Sequence, residues 1–242
     1  MRTVNIEPPA EVGVRNGLAY ALFLPPGEPL GGVVILHGAG SQKESHYDYA
    51  RRLRAHGIAA VSFDQRGHGD SAGSLDGRAA QDVAQMAELL PSGPVGLRGS
   101  SMGGYLALVS AATVDAAGVV AICPASAAGM RRGLSAGRFD FRCDLATFDA
   151  FLAEHDEGPA AEQLGCPLLL LHAEGDEVVP VELSRRLALR APASRLVEVP
   201  GGHHRSIQHD PELQDLSVRF LERAFADARG ADSLRRVRGE RE

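Results

Sequence analysis

Five short apolar runs recur along this chain, and none of them alternates with polar residues. They are 33–36 (Val-Val-Ile-Leu), 58–61 (Ile-Ala-Ala-Val), 94–97 (Pro-Val-Gly-Leu), 119–122 (Val-Val-Ala-Ile) and 168–171 (four leucines). A strand wetted on one face alternates with period two, whereas a strand covered on both faces reads as an unbroken apolar run. Between the runs lie stretches with helical spacing at 46–56, 78–90, 102–113 and 181–191. A last helix is expected from Asp210-Pro211, an N-cap followed by proline at the first helical position. Its apolar face is Leu213, Leu216, Phe220, Leu221 and Phe225. This rhythm predicts an α/β fold with a doubly wound, mostly parallel sheet in one domain over residues 1–228. The segment 18–24 reads as an antiparallel strand leading into the sheet. Residues 125–165 break the rhythm and are expected to form a small helical cap. The stretch 229–242, rich in charge, reads as a flexible tail.

Composition narrows the classes further. With 242 residues, 44% of them apolar, the chain can bury its own core without staples. No apolar run approaches the roughly 20 residues of a membrane helix, and residues 1–10 contain no secretory h-region. The net charge of −6, without a basic stripe, argues against a nucleic-acid partner. Cys123, Cys143 and Cys166 are widely spaced and match neither a disulfide framework nor a zinc site; free thiols in a reducing cytoplasm are expected. No metal or organic cofactor is called for, and the expected partner is a small molecule.

The chemistry concentrates in Gly99-Ser100-Ser101-Met102-Gly103, which follows one expected strand and opens an expected helix. In that context G-x-S-x-G is a sharp turn that lifts the central serine clear of the sheet, at a helix N-terminus that favours developing negative charge. Ser101 is therefore the expected nucleophile. A serine hydroxyl needs a base, and the base needs a carboxylate to fix its tautomer. His203 and His204 follow two glycines after the expected strand 196–199, and Asp176 follows the four-leucine run. Both loops sit where open α/β sheets place their sites. The chain order Ser101, Asp176, His204 is one of the known triad orders. Backbone N–H groups of Met102 and of Ala39, in His37-Gly38-Ala39-Gly40, are the expected oxyanion donors.

Five segments in this order resemble the α/β-hydrolase superfamily: His37-Gly38, the loop 64–71 (Asp-Gln-Arg-Gly-His-Gly-Asp-Ser), the elbow 99–104, Gly175-Asp176 through Pro180, and Gly201 through His204. The resemblance spans about residues 17–228. It implies hydrolysis of carboxylic esters or related acyl bonds. The segment 37–46 and the short cap are similar to small bacterial serine carboxylesterases of the feruloyl or cinnamoyl type, and to the dienelactone hydrolase and prolyl oligopeptidase branches. The family pattern selects His204 over His203. His37 and His68 are read as structural. A thioesterase, an exopeptidase or a non-catalytic small-molecule binder remain the alternatives. Within the cap, four phenylalanines (139, 141, 148 and 151) are expected to pack it onto the sheet, with any one left facing Ser101 providing a flat apolar wall. Arg131, Arg132, Arg138 and Arg142 are expected to pair with Asp140 and Asp144 or, less simply, to meet an anionic substrate.

Overall fold

The computed structural model describes residues 7–238, with side chains through residue 233. Its centre is an eight-stranded sheet in the order β1-β2-β4-β3-β5-β6-β7-β8. The strands are β1 Glu11–Arg15, β2 Leu18–Phe23, β3 Gly32–Leu36, β4 Ala59–Phe63, β5 Val95–Ser100, β6 Gly118–Ile122, β7 Leu168–Ala173 and β8 Ser194–Val199. β1 and β2 are antiparallel, as are β2 and β4, and every later pairing is parallel. The unbroken runs have the expected cause. Leu168 and Leu170 enter one core, Leu169 and Leu171 the other, and all four are fully buried. Each such leucine contributes about 1.5–3 kcal/mol of burial.

β1 has no counterpart among the expected strands. Its signal was nevertheless present as Asn16-Gly17. Both residues adopt positive φ, 51° and 81°, the requirement of the tight turn that joins β1 to β2.

The helices are α1 Tyr47–Ala55, α2 Ala79–Ala87, α3 Met102–Ser110, α4 Ala127–Ser135, α5 Leu145–Glu154, α6 Glu157–Glu162, α7 Val181–Arg190 and α8 Pro211–Arg238. Asp210 caps α8 through its Oδ1, which accepts from the backbone of Glu212 and Leu213. α8 covers residues 229–238 of the stretch expected to be a tail; residues 239–242 lie outside the described ones. Among the described residues no helix is long and apolar enough to cross a membrane. The cap is three short helices, α4 to α6, each begun by a side-chain cap from Ser126, Asp144 or Asp156. It is stitched to the loop after β4 by backbone bonds between Leu75 and Arg142, and between Asp144 and Leu75.

The chain visits β3, then β4 on one side of it, then β5 on the other. Connections therefore diverge at the C-terminal ends of β3 and β5, which lie side by side with Leu36 opposite Gly99. A crevice at such a divergence is the standard ligand position in open α/β sheets.

Candidate active site

At the end of β5 the backbone of Ser101 is held at φ 54°, ψ −118°, a conformation L-residues rarely adopt. Its neighbours show why it persists. A Cβ on Gly99 would lie 2.0 Å from the Gly103 carbonyl oxygen, and one on Gly103 would lie 2.2 Å from that of Leu36. Only glycine lets strand and helix approach so closely. The Ser101 N–H donates to Ile122 at 2.9 Å, and its carbonyl accepts from Tyr105 and Ala125 at 3.0 Å. Met102, the first residue of α3, has an N–H that no intrahelical carbonyl can take.

On the far side of the crevice, Asp176 follows β7 and its side chain is fully buried. Oδ1 accepts from the backbone N–H groups of Val178 and Val179, both at 2.8 Å. Oδ2 lies 2.7 Å from His204 Nδ1. Burial alone would raise this carboxyl's pKa. Hydrogen bonds from His172, His204 and the two backbone amides outweigh it and hold the group well below the usual carboxylate range. An ionised Asp176 makes His204 Nδ1 the donor, so Nε2 is left as an acceptor. His203 is exposed; its N–H bonds Ser206 Oγ and its Nδ1 accepts from the Arg205 backbone.

Ser101 and His204 line one cavity of about 300 Å³, together with Gly38, Ala39 and Gly40. No Ser101–His204 hydrogen bond is formed among the described residues. Met102 contributes no side chain to the cavity, since its own is buried in the core beside α3. Of the expected residues, the structure thus gathers Ser101, His204 and Ala39 around one space, joins Asp176 to His204, and places the Met102 N–H at the turn next to Ser101.

None of the four cap phenylalanines lines this cavity. Phe148 and Phe151 are buried in the core, and Phe141 stacks on His68 at 4.3 Å with Phe139 beside it. The flat aromatic wall is therefore absent, because all four rings are used in packing. Arg131 pairs with Asp149, not with Asp140 or Asp144, and Arg142 donates to the Ser71 carbonyl. His37 accepts from the Gln65 N–H and bonds the Gly38 carbonyl. Burial first, then the neighbouring His68, pushes its pKa down to about 4, so it is neutral and shapes the loop.

Several contributors were missed. His172, fully buried four residues before Asp176, contacts Val179 O at 2.9 Å, Ser184 Oγ at 2.7 Å and Asp176 Oδ2 at 3.4 Å. Lys43 is buried against Asp64, which also receives the Lys43 and Asp70 N–H groups and so locks the loop carrying Ala39 to the loop after β4. The i, i+4 spacing of His172 and Asp176 was visible in the sequence. Nothing there tied Lys43 to Asp64.

Donor atoms of Cys123, Asp176 and His204 lie within 4.8 Å of one another. Their chemistry is that of hydrogen bonding. Burial, reinforced by Asp176, raises the Cys123 thiol's pKa, and both Asp176 oxygens already accept N–H groups.

The sequence profile of the alpha/beta hydrolase family matches residues 33–154, just over half of the chain. The chain belongs to the alpha/beta hydrolase family. A second profile, described as TAP-like protein, matches residues 149–233. The chain is 29% identical to the lysophosphatidylserine lipase ABHD12 of Macaca fascicularis, over 78% of the chain and 55% of that protein. It therefore spans little more than half of that relative's length. It is 26% identical to the monoacylglycerol lipase of Mycolicibacterium smegmatis, over 83% of the chain and 89% of the relative. Among solved structures, Est1E of Butyrivibrio proteoclasticus with ferulic acid bound superposes with a TM-score of 0.72 at 20% identity, covering 90% of this chain and all of that one. That likeness concerns the fold.

Proposed function

We propose that this hydrolase cleaves small carboxylic esters through an acyl-enzyme, with Ser101 as nucleophile, His204 as general base and Asp176 as its orienting carboxylate. The observation that carries the reading is the buried Asp176 bonded at 2.7 Å to His204, whose ring shares a cavity with the strained Ser101. The esterase and lipase relatives support the ester class.

In this reading Ser101 Oγ attacks the carbonyl carbon as its proton passes to His204 Nε2. The carbonyl oxygen becomes an oxyanion and accepts hydrogen bonds from the Met102 and Ala39 N–H groups. Collapse breaks the bond to the alcohol, which leaves with the proton from His204. Water then repeats the sequence on the acyl-serine and releases the acid. Asp176 stays ionised throughout, which its depressed pKa favours. Each oxyanion donor is worth about 3 kcal/mol in such a site. A cavity of about 300 Å³ at the lower limit for small-molecule sites suits compact esters over long acyl chains.

The test is a fluorophosphonate probe with peptide mapping, followed by an ester panel that includes thioesters and aminoacyl amides. Labelling confined to Ser101, with short esters turned over fastest, is expected. Labelling elsewhere, or none, overturns the assignment, and a tenfold preference for thioesters or amides replaces the substrate class.

A further inference from the structure

Among the described residues, the walls of the cavity carry no carboxylate. Besides serine hydroxyls, the amides of Gln42 and Gln208 and the imidazoles of His204 and His209, their one permanent charge is Arg205. Arg205 is exposed, and its guanidinium forms no hydrogen bond or ion pair among the described residues. A second cation lies beneath the floor. Arg98, on β5, shares a sheet face with Ser100, which lines the cavity, and period two places it about 7 Å below that residue.

Arg98 is 1% exposed, yet no carboxylate pairs with it among the described residues. One nitrogen donates to the Gln208 carbonyl at 2.8 Å, another meets His46 Nδ1 at 3.2 Å, and the plane sits 4.1 Å over the Tyr49 ring. Nε has no partner among the described residues. A guanidinium stays protonated, so its charge is solvated by dipoles and one ring, with Asp48 acting on it only through space. The acidic groups around the site stand behind its walls and are engaged there. Asp176 holds His204, Asp48 receives His209 and Gln214, Glu177 receives the His204 N–H, and Asp64 and Asp70 hold Lys43. A concave site whose own wall presents a cation and no carboxylate favours an anion beside that cation, and a buried charge acts through a lower dielectric than a surface one.

We propose that the cavity accepts esters bearing an anionic group, a carboxylate or a phosphate, with Arg205 as its ion-pair partner and Arg98 as the fixed charge beneath. This rests on the ester-hydrolase reading above. Arg205 follows His204 directly, so an anion paired to it lies on the base's side of the cavity.

The experiment compares kcat/KM for matched pairs at low salt. On the alcohol side, 1-butyrylglycerol is set against its 3-phosphate, and propyl butyrate against the butyrate ester of 3-hydroxypropionate. On the acyl side, methyl pentanoate is set against monomethyl glutarate. Taking the ratio within each variant cancels losses common to both members. In the wild type at least one anionic member is expected to win by tenfold or more, the winning pair identifying carboxylate or phosphate, and the advantage should shrink as salt screens it. Arg205→Gln is expected to cut that ratio at least fivefold, Arg98 supplying what remains, and Arg205→Glu to cut it further. Arg195→Gln, a distant arginine, leaves it unchanged. Ratios at or below one in every wild-type pair, or a preference that Arg205→Gln does not diminish, overturn the proposal. If neutral esters are turned over and Ser101 is labelled in that case, only the anion subsite falls. If no ester is turned over and no label appears, the hydrolase reading falls with it.

Discussion

The two sides of the cavity are held by different kinds of force. On the Ser101 side, Gly99 and Gly103 let β5 and α3 approach within distances that any side chain would violate, and Gly104 sits close against the chain after β6. On the His204 side the loop is open at Gly201, where a Cβ would meet nothing within 4 Å, while Gly202 is packed closely, a Cβ there lying 2.7 Å from Ser206 Oγ. That loop is placed by polar tethers: Asp176 to the His204 ring, Glu177 to its N–H, and Arg98 to the Gln208 carbonyl. One half of the site is held by backbone packing alone, and the other mainly by polar tethers, two of them from buried charges, with one close backbone approach of Gly175 to Gly202.

The largest effect tests whether both halves act on one reaction. Ser101→Ala should reduce ester turnover by about 10⁴-fold or more and abolish fluorophosphonate labelling, while near-UV circular dichroism stays unchanged. His204→Ala should cost a similar factor, since in the proposed mechanism base and nucleophile work as a unit and losses of such groups are not additive. His203→Ala, on an exposed ring outside the cavity, should cost less than threefold. A reversed ranking of the two histidine variants moves the base to His203 and dissolves the contrast drawn above.

Stability separates the halves next. Gly103→Ala gains helix propensity yet drives a methyl to 2.2 Å from the Leu36 carbonyl. It should destabilise by about 3 kcal/mol or more, roughly 6–12 °C in Tm for a chain of this size. Gly201→Ala meets no atom and pays only for φ +67°, about 1–2 kcal/mol. Equal losses in thermal melts would show that the base loop is as tightly packed as the elbow.

The same contrast explains what could be read from sequence. Tight backbone packing leaves glycines at fixed offsets from a serine, and unbroken apolar runs mark strands buried on both faces, so the sheet, the elbow and the Asp176 and His204 loops were legible. Tethers leave no local trace. Arg98 and the Gln208 carbonyl are 110 residues apart, and Lys43 and Asp64 are 21 apart. The cap was legible as helical and short but not in its packing. Phe139, Phe141, Phe148 and Phe151 share one composition, and only tertiary structure decides that all four turn away from the cavity.

His172 offers a smaller test of the tethered half. It braces the turn after β7 through Val179 and Ser184 and touches the carboxylate that holds His204. His172→Phe fills the volume but removes those bonds. Misplacement of this order costs about 10–100-fold in rate. The expected signature is a fall in kcat with KM nearly unchanged, because the ring does not line the cavity. A rise in KM alone would mean that His172 shapes the binding site and not the acid.

The smallest effect comes from pH. His37 is buried and neutral in the folded protein, with its pKa pushed down to about 4 by burial and by His68, against an ordinary value of about 6.5 in the unfolded chain. Between those two values the unfolded state binds a proton that the folded state refuses, so stability must fall as pH falls through 6.5 toward 4. At pH 5.5 this loss is about 1 kcal/mol relative to pH 7, roughly 2–4 °C in Tm. His46 and His68, also shifted downward first by burial, add in the same direction. Asp176 works in a different window. Its folded pKa lies below its unfolded one, so its stabilisation is complete above about pH 4 and is lost only as pH falls toward the folded value. Melts between pH 7 and 5.5 therefore report the buried histidines, and melts below pH 4 report Asp176 together with the other carboxylates held below their usual range, Asp48, Asp70 and Asp76 among them. His37→Asn should reduce the fall across the first window by about 1 kcal/mol, His46 and His68 supplying the rest, and leave the second intact. If it flattens neither, the imidazole is protonated in the folded state, and the loop that carries Ala39 is held by charge in the manner of the base side.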